Sequence, residues 1–258
     1  MKRFFTIIFI TSILISCKNN EYEKKIIGTW YSLLENEKLT FDSDSLFVNN
    51  SSKIGTWNAT ENEIEYLWQY YKNDSIKKIT HRYRLHSKDT LFLFSNDSTK
   101  NRFTFIKADN FLDLILKKNN VQITLNKNPN SEFKEIENAF GIKIFISSDK
   151  GKINAKSEYS DNIENLKSDL ELHLNNINPY LINRFNNFSD SYKEKMEFEK
   201  WRKRRIYYSI FADREILNDS ILTIVEKLKK SEIQNVYQVF ETEEQKYSDN
   251  FNLRMIKL

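Results

Sequence analysis

Ile206-Tyr-Tyr-Ser-Ile-Phe-Ala-Asp213 is the most informative stretch of the chain, because it is almost entirely apolar or aromatic and ends at an acidic residue. Its enrichment in Ile, Tyr and Phe favours a strand. A helix is predicted next, from about Asp219 to Lys230, and a further strand over Asn235–Phe240. The predicted helix carries one inward stripe, formed by Ile221, Ile224, Val225 and Leu228.

A hairpin is predicted upstream of this block. Its strands are Ile142–Ser147 and Lys152–Lys156, and Asp149-Lys150-Gly151 supplies the tight turn with glycine at a position that needs positive φ. A helix should follow, since Asp161 and Glu164 have capping-box spacing. The apolar stripe of that helix consists of Ile163, Leu166, Leu170 and Leu174.

The ends of this region are less regular. Val121–Leu125 alternates like a strand and follows a connector, residues 109–120, that is either a short helix or a plain connecting segment. Pro179 is expected to end the helical region, and Leu253–Leu258 to add an edge strand. The order of strand, strand, helix, strand, helix, strand predicts an α/β sandwich over residues 121–258.

The first half of the chain has a different pattern. From residue 28 to residue 108, short apolar runs alternate with polar turns, and about eight strands are predicted at a spacing near ten residues. Such spacing suits a sandwich or a closed up-and-down barrel, so the whole chain is predicted to be α+β with two domains. The predicted strands are Ile27–Ser32, Lys38–Phe41, Ser45–Val48, Lys53–Ala59, Glu63–Tyr71, Ile76–His86, Thr90–Phe94 and Arg102–Lys107.

The interior of this barrel is predicted to be filled by its own side chains, because eight strands enclose little space. The residues expected to be buried are Trp30, Trp57, Tyr66, Trp68, Tyr83 and Phe105. His81 falls on the same inner face, where a hydrogen-bonded core residue is the simpler interpretation. The alternative is an open cavity in which Trp68, His81 and Tyr83 contact a ligand.

Particular phrases in this half point to a family. Ile27-Gly28-Thr29-Trp30 is repeated as Ile54-Gly55-Thr56-Trp57. The first copy is followed by Leu39-Thr40-Phe41, and the second by Asp89-Thr90-Leu91-Phe92-Leu93. The order resembles the lipocalin-like domains of lipoproteins from Bacteroidetes-type bacteria. The resemblance covers about eighty residues and implies a ligand cavity.

The second half resembles the periplasmic domain of the ExbD/TolR family. The resemblance rests on the strand that ends in Ala212-Asp213, a helix ending at Leu228, and Ile233-Gln-Asn-Val-Tyr-Gln-Val239, and it covers about 140 residues. It implies a domain that pairs and contacts envelope proteins or peptidoglycan. The family's transmembrane helix has no counterpart, since Phe111–Leu116 is too short to span a membrane. In addition, Ser231-Glu232 stands where the family usually has a glycine before its last strand. Coupling to proton flow is therefore not implied.

The chain begins with the features of an export signal. Lys2 and Arg3 precede an uncharged run of thirteen residues, Phe4–Ser16, which is too short to cross a bilayer but suits a secretory signal. Leu14-Ile15-Ser16-Cys17 then has the form of a lipobox. Residues 1–17 are predicted to be a lipoprotein signal, Cys17 the lipid attachment site, and residues 18–27 a tether. Lys18 favours the outer over the inner membrane.

Composition argues against several functions. The formal charge of +4, spread over 40 basic and 36 acidic side chains, is not that of a nucleic-acid binder. Three histidines and one cysteine match no zinc spacing, and no nucleophile or phosphate-loop motif occurs. No catalytic residue, cofactor site or metal site is predicted, and the chain is not expected to be an enzyme.

One dense basic run, Trp201-Arg-Lys-Arg-Arg205, remains. It follows Glu194, Glu197 and Glu199, so a salt-bridged polar helix is one interpretation. The other is a contact for anionic glycans or lipid headgroups through Trp201, Arg202, Arg204 and Arg205.

These observations predict a lipid-anchored envelope protein that acts as a binding or scaffolding module. A carrier of small hydrophobic ligands is the alternative. The expected partners are the membrane, an envelope protein or peptidoglycan, and a weak homodimer through Asn250–Ile256 as an open edge strand.

Overall fold

The computed structural model describes residues 20–33, 37–49, 55–68, 75–94, 102–127, 134–136, 138–193, 196–231, 233–241 and 251–256. The chain divides into two compact units, Met1–Asp109 and Asn110–Leu258. The predicted lipid attachment site, Cys17, lies outside the described residues.

The first unit contains one antiparallel sheet of eight strands in the order β3-β2-β1-β8-β7-β6-β5-β4. The Leu46 N–H donates to the Gly55 carbonyl at 3.1 Å and so joins β3 to the residues before β4. The sheet is therefore nearly closed into a barrel, as the alternation predicted. The strands are β1 (Gly28–Ser32), β2 (Lys38–Phe41), β3 (Leu46–Val48), β4 (Trp57–Ala59), β5 (Glu63–Trp68), β6 (Lys77–Ser87), β7 (Thr90–Phe94) and β8 (Arg102–Lys107).

The repeated Gly-Thr-Trp phrase has a structural reason in both copies. Gly28 has a φ of +131°, and a Cβ on Gly55 would lie 2.2 Å from the Leu67 carbonyl oxygen. Both tryptophans are buried, and each indole N–H donates to a backbone carbonyl, from Trp30 to Ile26 at 2.6 Å and from Trp57 to Asp42 at 2.8 Å. The phrase thus places a ring in the core with its one polar atom satisfied.

The segment predicted as a tether is partly folded. Helix α1 (Glu21–Ile26) begins with a capping box between Asn20 and Glu23. Its Ile26 is completely buried with the barrel core, and the Asn20 side chain donates to the Ala59 carbonyl at 2.8 Å. The prediction of a tether over residues 18–27 is therefore wrong from residue 20 onward. Six residues with few apolar positions gave too little periodicity to be recognised as a helix.

The second unit is a six-stranded mixed sheet with helices on both faces. Its order is β11-β10-β12-β13-β14-β9, and β10, β12 and β13 are parallel. The strands are β9 (Lys134–Ile136), β10 (Gly141–Asp149), β11 (Lys152–Ser157), β12 (Tyr207–Ala212), β13 (Val236–Phe240) and β14 (Phe251–Met255). The helices are α2 (Phe111–Lys118), α3 (Leu166–Asn186), α4 (Asp190–Lys193), α5 (Phe198–Arg205) and α6 (Asn218–Lys229), with a 3₁₀ turn at Asn138–Phe140.

Each face of this sheet has its own core. On one face, β10, β12 and β13 meet α3 and α6. The predicted stripe residues all lie there: Ile163, Leu166, Leu170, Leu174, Ile221, Ile224, Val225 and Leu228. On the other face, α2 and α5 cover Phe145, Phe211 and Tyr237. The predicted connector is thus mostly helix α2, whose Leu112 and Ile115 belong to the second unit's core.

The turn after β12 is held by Asp213, the acidic residue that follows the strand. The Glu215 N–H donates to the Asp213 carboxylate at 3.2 Å, and the Asp213 N–H donates to Ile146 on β10 at 2.9 Å. Asp213 therefore accepts a backbone N–H in the turn before α6, as short acidic side chains do at such junctions.

Helix α3 differs from the prediction at both ends. The Asn162 side chain accepts the Glu164 N–H at 2.9 Å, which holds residues 161–165 in a turn, so the helix begins at Leu166 without the capping box. Pro179 lies inside the helix rather than at its end. Continuation beyond the proline buries Leu181 completely, which offsets the lost backbone hydrogen bond.

The strand predictions at the outer part of the sheet also need correction. Val121–Leu125 is not a strand; its Leu125 is a buried core residue in an extended connection. β14 lies between β13 and β9, so the predicted edge at Asn250–Ile256 is covered. The weak homodimer expected through that edge therefore loses its structural basis.

Candidate functional site

The outermost strand β11 pairs with β10 on one side, and on its other side no described strand is present. The Glu158 N–H donates to the Lys143 carbonyl at 2.9 Å, which sets the alternation of the ladder. Lys152, Asn154 and Lys156 consequently direct their backbone groups toward β10. Ile153 and Ala155 direct theirs outward, and within the described residues these groups have no backbone partner.

A groove of about 920 Å³ runs beside this open edge. Its walls are β11, the turn at residues 161–166 and helix α6. The apolar lining consists of Ile153, Ala155, Ile163, Leu166 and Ile224, and the charged side chains of the rim are Asp161, Glu164 and Lys227. Ile153 is 40% exposed, an unusual degree for an isoleucine on a strand that faces a core.

Contacts at both ends of β11 hold this strand along β10. Lys150 and Gly151 both have positive φ, 50° and 79°, which is the geometry of a two-residue hairpin turn. At the other end of β11, the Glu158 carboxylate accepts both the Lys143 N–H at 3.0 Å and its ammonium at 3.0 Å. β11 is therefore fixed along β10, and among the described residues no strand pairs with its outer side.

A buried polar cluster supports the groove wall at residues 157–165. The Ser157 hydroxyl accepts the N–H groups of Tyr159 and Ser160, both at 3.0 Å. The Ser160 hydroxyl lies 2.8 Å from the carboxylate of Asp169, which is 2% exposed on α3. These bonds fix the turn onto the helix.

His173 completes this cluster. Its Nδ1 lies 2.8 Å from the Tyr159 hydroxyl, and burial lowers the pKa of His173 to about 4. The positive charge of Lys143 acts in the same direction, whereas Glu158 opposes it. Burial also raises the pKa of Tyr159. Since His173 contacts the tyrosine and Ser160 contacts Asp169, the cluster does not pair a serine with a histidine base.

Some of the residues predicted to contact a ligand inside the barrel are core residues. Tyr83 is buried and its hydroxyl donates to the Thr60 carbonyl at 2.8 Å. His81 is half-buried on the inner face, with Nε2 3.0 Å from the Tyr66 hydroxyl. Burial raises the pKa of Tyr66 to about 12. The side chain of Trp68 lies outside the described residues.

The described interior of the barrel is packed with side chains. Those no more than 2% exposed are Ile26, Trp30, Phe41, Ala59, Leu46, Ile64, Leu91 and Phe105. Four of the six residues predicted to be buried, Trp30, Trp57, Tyr83 and Phe105, are buried, and Tyr66 is half-buried. Tyr83, one of the predicted ligand contacts, is therefore a core residue, and the 7% of it that is exposed lines a surface cleft beside Arg82 and Arg84.

The basic run lies on α5, and its tryptophan is not at the surface. Trp201 is 2% exposed and packs against Phe185, Phe188 and Phe198, with ring centroids 5.5–6.2 Å apart. The expected use of Trp201 as a surface anchor is therefore wrong.

The arginines of α5 divide into two groups. Arg202 pairs with Glu199 and donates to the Asn178 side chain at 3.1 Å, as in a salt-bridged helix. Arg204 and Arg205 are exposed. Among the residues that the structure describes, no group of three metal-binding side chains occurs and no helix is long and apolar enough to cross a bilayer.

The β11 edge was not singled out from the sequence. Lys152–Lys156 was predicted as a strand, but its position at the outside of the sheet depends on the strand order, which no local pattern encodes. Comparisons add no further assignment: no protein-family model, no curated protein and no solved structure matches the chain.

Proposed function

We propose that this protein is a lipid-anchored lipoprotein of the cell envelope, and that its second unit binds an extended peptide segment of an envelope protein by strand addition to β11. One observation carries the proposal. The outward N–H and C=O groups of Ile153 and Ala155 lie beside a groove with an apolar lining. Strand addition uses backbone groups for affinity and a pocket for alternate side chains.

The remaining parts of the molecule fit this role. The first unit is a lipocalin-like barrel in our proposal, and its packed interior favours a supporting function over carriage of a hydrophobic ligand. The second unit is an ExbD/TolR-like domain in our proposal, and its mixed sheet with helices on both faces supports this. A domain of that kind suits contact with envelope proteins. Peptidoglycan is less suited to β11, because a glycan offers no ladder of backbone donors and acceptors.

Strand addition predicts that Ala155→Pro abolishes partner binding without unfolding the second unit. Proline removes the outward N–H of Ala155, and a strand edge tolerates proline where that N–H faces solvent. With a photo-crosslinking residue at Lys227 on the groove rim, the wild-type protein should give a discrete adduct in cells, and Ala155→Pro should lose at least about 90% of it.

Ala155→Ser is the matched control, because it keeps the N–H and adds only one hydroxyl. It should retain the adduct. Circular dichroism melts should place all three proteins within a few degrees of one another. An adduct equally strong in Ala155→Pro would mean that contact at the groove does not use the strand edge.

Lipid anchoring predicts that Cys17→Ser accumulates as an unacylated precursor. The chain contains no other thiol to accept the diacylglyceryl group. Labelled palmitate should enter the wild-type protein and Lys18→Gln but not the Cys17 variant, and only the acylated forms should partition into detergent. A mature, detergent-partitioning Cys17→Ser protein would contradict the anchor.

A further inference from the structure

The charge pattern of β11 bears on what kind of segment it binds. Lys152, Asn154 and Lys156 lie on the sheet face opposite to the groove, since side chains alternate along a strand. Across the ladder they meet Asp149, Ser147 and Phe145 respectively. The Lys156 ammonium donates to the Asn119 carbonyl at 2.7 Å, a contact that leaves its charge uncompensated. This face of β11 therefore carries two positive charges, on Lys152 and on Lys156, four residues apart. Asp149 offsets the charge of Lys152, whereas Phe145, opposite Lys156, is uncharged.

A second copy of the chain is a poor occupant of this edge. Two β11 strands could pair in antiparallel fashion through the outward N–H and C=O groups of Ile153 and Ala155. If all four groups on each copy are used, the pairing is centred on Asn154. In that register Lys152 of each copy lies directly opposite Lys156 of the other. Like charges at opposed positions destabilise a strand pair, and here the unfavourable pair occurs twice.

The groove side has different requirements. Partner residues beside Ile153 and Ala155 project toward Ile163 and Ile224, which form an apolar surface. On the rim, Lys227 offsets the charge of one of the two carboxylates, Asp161 and Glu164. Side chains that enter the groove are therefore best uncharged.

We infer that the segment bound at β11 has two acidic residues four positions apart, opposite Lys152 and Lys156, with apolar residues at the two positions that face the groove. This inference rests on the proposed strand addition and names its partner class. An acidic side chain beside Lys152 or Lys156 forms a favourable cross-strand pair, and the alternation of the added strand sends the intervening apolar side chains into the groove.

Peptide binding to the purified full-length protein in detergent tests this inference. The probes are two fluorescein-labelled peptides, Thr-Glu-Val-Thr-Val-Glu-Thr and the same sequence with lysine in place of both glutamates. Fluorescence anisotropy at low salt should show the acidic peptide binding about tenfold more tightly, as two favourable pairs replace two unfavourable ones. Lys152→Glu should reduce the ratio to about threefold or less, and 0.5 M salt should also reduce it.

The possible failures are distinguishable. Equal binding of both peptides that Ala155→Pro abolishes would overturn the acidic preference while supporting strand addition. Binding insensitive to Ala155→Pro, or no binding of either peptide at millimolar concentration, would overturn both. A dimer of the free protein that sedimentation detects and Ala155→Pro dissociates would overturn the inference in favour of a second copy.

Discussion

Trp30→Ala is expected to lower the free energy of unfolding of the first unit by about 3–5 kcal/mol, as deletions of large buried aromatic side chains do. Trp30 is fully buried, among the most enclosed side chains of the barrel. Its indole N–H donates to the Ile26 carbonyl at 2.6 Å, so the substitution also removes a bond between β1 and α1. The loss combines a cavity with an unsatisfied backbone acceptor.

Urea titration with hydrogen exchange of the β8 amides would measure this loss, because those amides report opening of the barrel separately from the second unit. Ile76→Ala is the control, since Ile76 is 62% exposed and its truncation should change the free energy by less than about 0.5 kcal/mol. A loss below about 1 kcal/mol for Trp30→Ala would show that the barrel core does not depend on this ring.

The barrel was largely predictable because its strands alternate clearly and its turns are short. The boundaries of β2, β7 and β8 agree with the prediction to the residue. The short helix α1 was not predictable, because its single fully buried residue, Ile26, gives no period. Its position depends on the hydrogen bond from Trp30 and on the bond from Asn20 to Ala59, which is 39 residues away in sequence.

In the second unit, the buried parallel strands and the apolar stripes of α3 and α6 were predictable from composition and period. Strand order was not. β9 lies outside β14 through pairing between residues more than 110 positions apart, and this long-range pairing turns a predicted edge into an interior strand. The same ordering leaves β11 with no described strand on its outer side, so the candidate site follows from topology rather than from a motif.

The candidate site also shows why a motif search for chemistry fails in this chain. Ser157, Ser160, Asp169 and His173 are residue types found in catalytic sites, yet their spacing in the sequence matches no catalytic motif. In the folded unit their hydrogen bonds support the wall of the β11 groove. The polar cluster thus links the stability of the groove to the protonation of one histidine.

That link predicts a loss of stability in acid. The pKa of His173 is about 4 in the folded protein, below the ordinary value near 6.5, because burial disfavours the charged imidazole. As the pH falls from about 6.5 to about 4, the unfolded chain takes up a proton that the folded chain does not, so the free energy of unfolding falls by about 3 kcal/mol. Above pH 6.5 this group contributes no pH dependence.

His173→Asn should remove this acid-dependent loss. The asparagine side chain places a polar atom near the Nδ1 position, where it can keep a bond to the Tyr159 hydroxyl, but it does not titrate. Hydrogen exchange of the β12 amides in urea, followed from pH 7.5 to pH 4 and corrected for the intrinsic rate, would report unfolding of the second unit.

The neighbouring Glu158 and Asp169 remain in both proteins, so the difference between the two pH profiles isolates His173. His86→Gln, on the exposed surface of the barrel, is the control and should leave the profile of β12 unchanged. Parallel profiles for wild type and His173→Asn between pH 6.5 and pH 4 would mean that His173 does not take up its proton in that interval on unfolding.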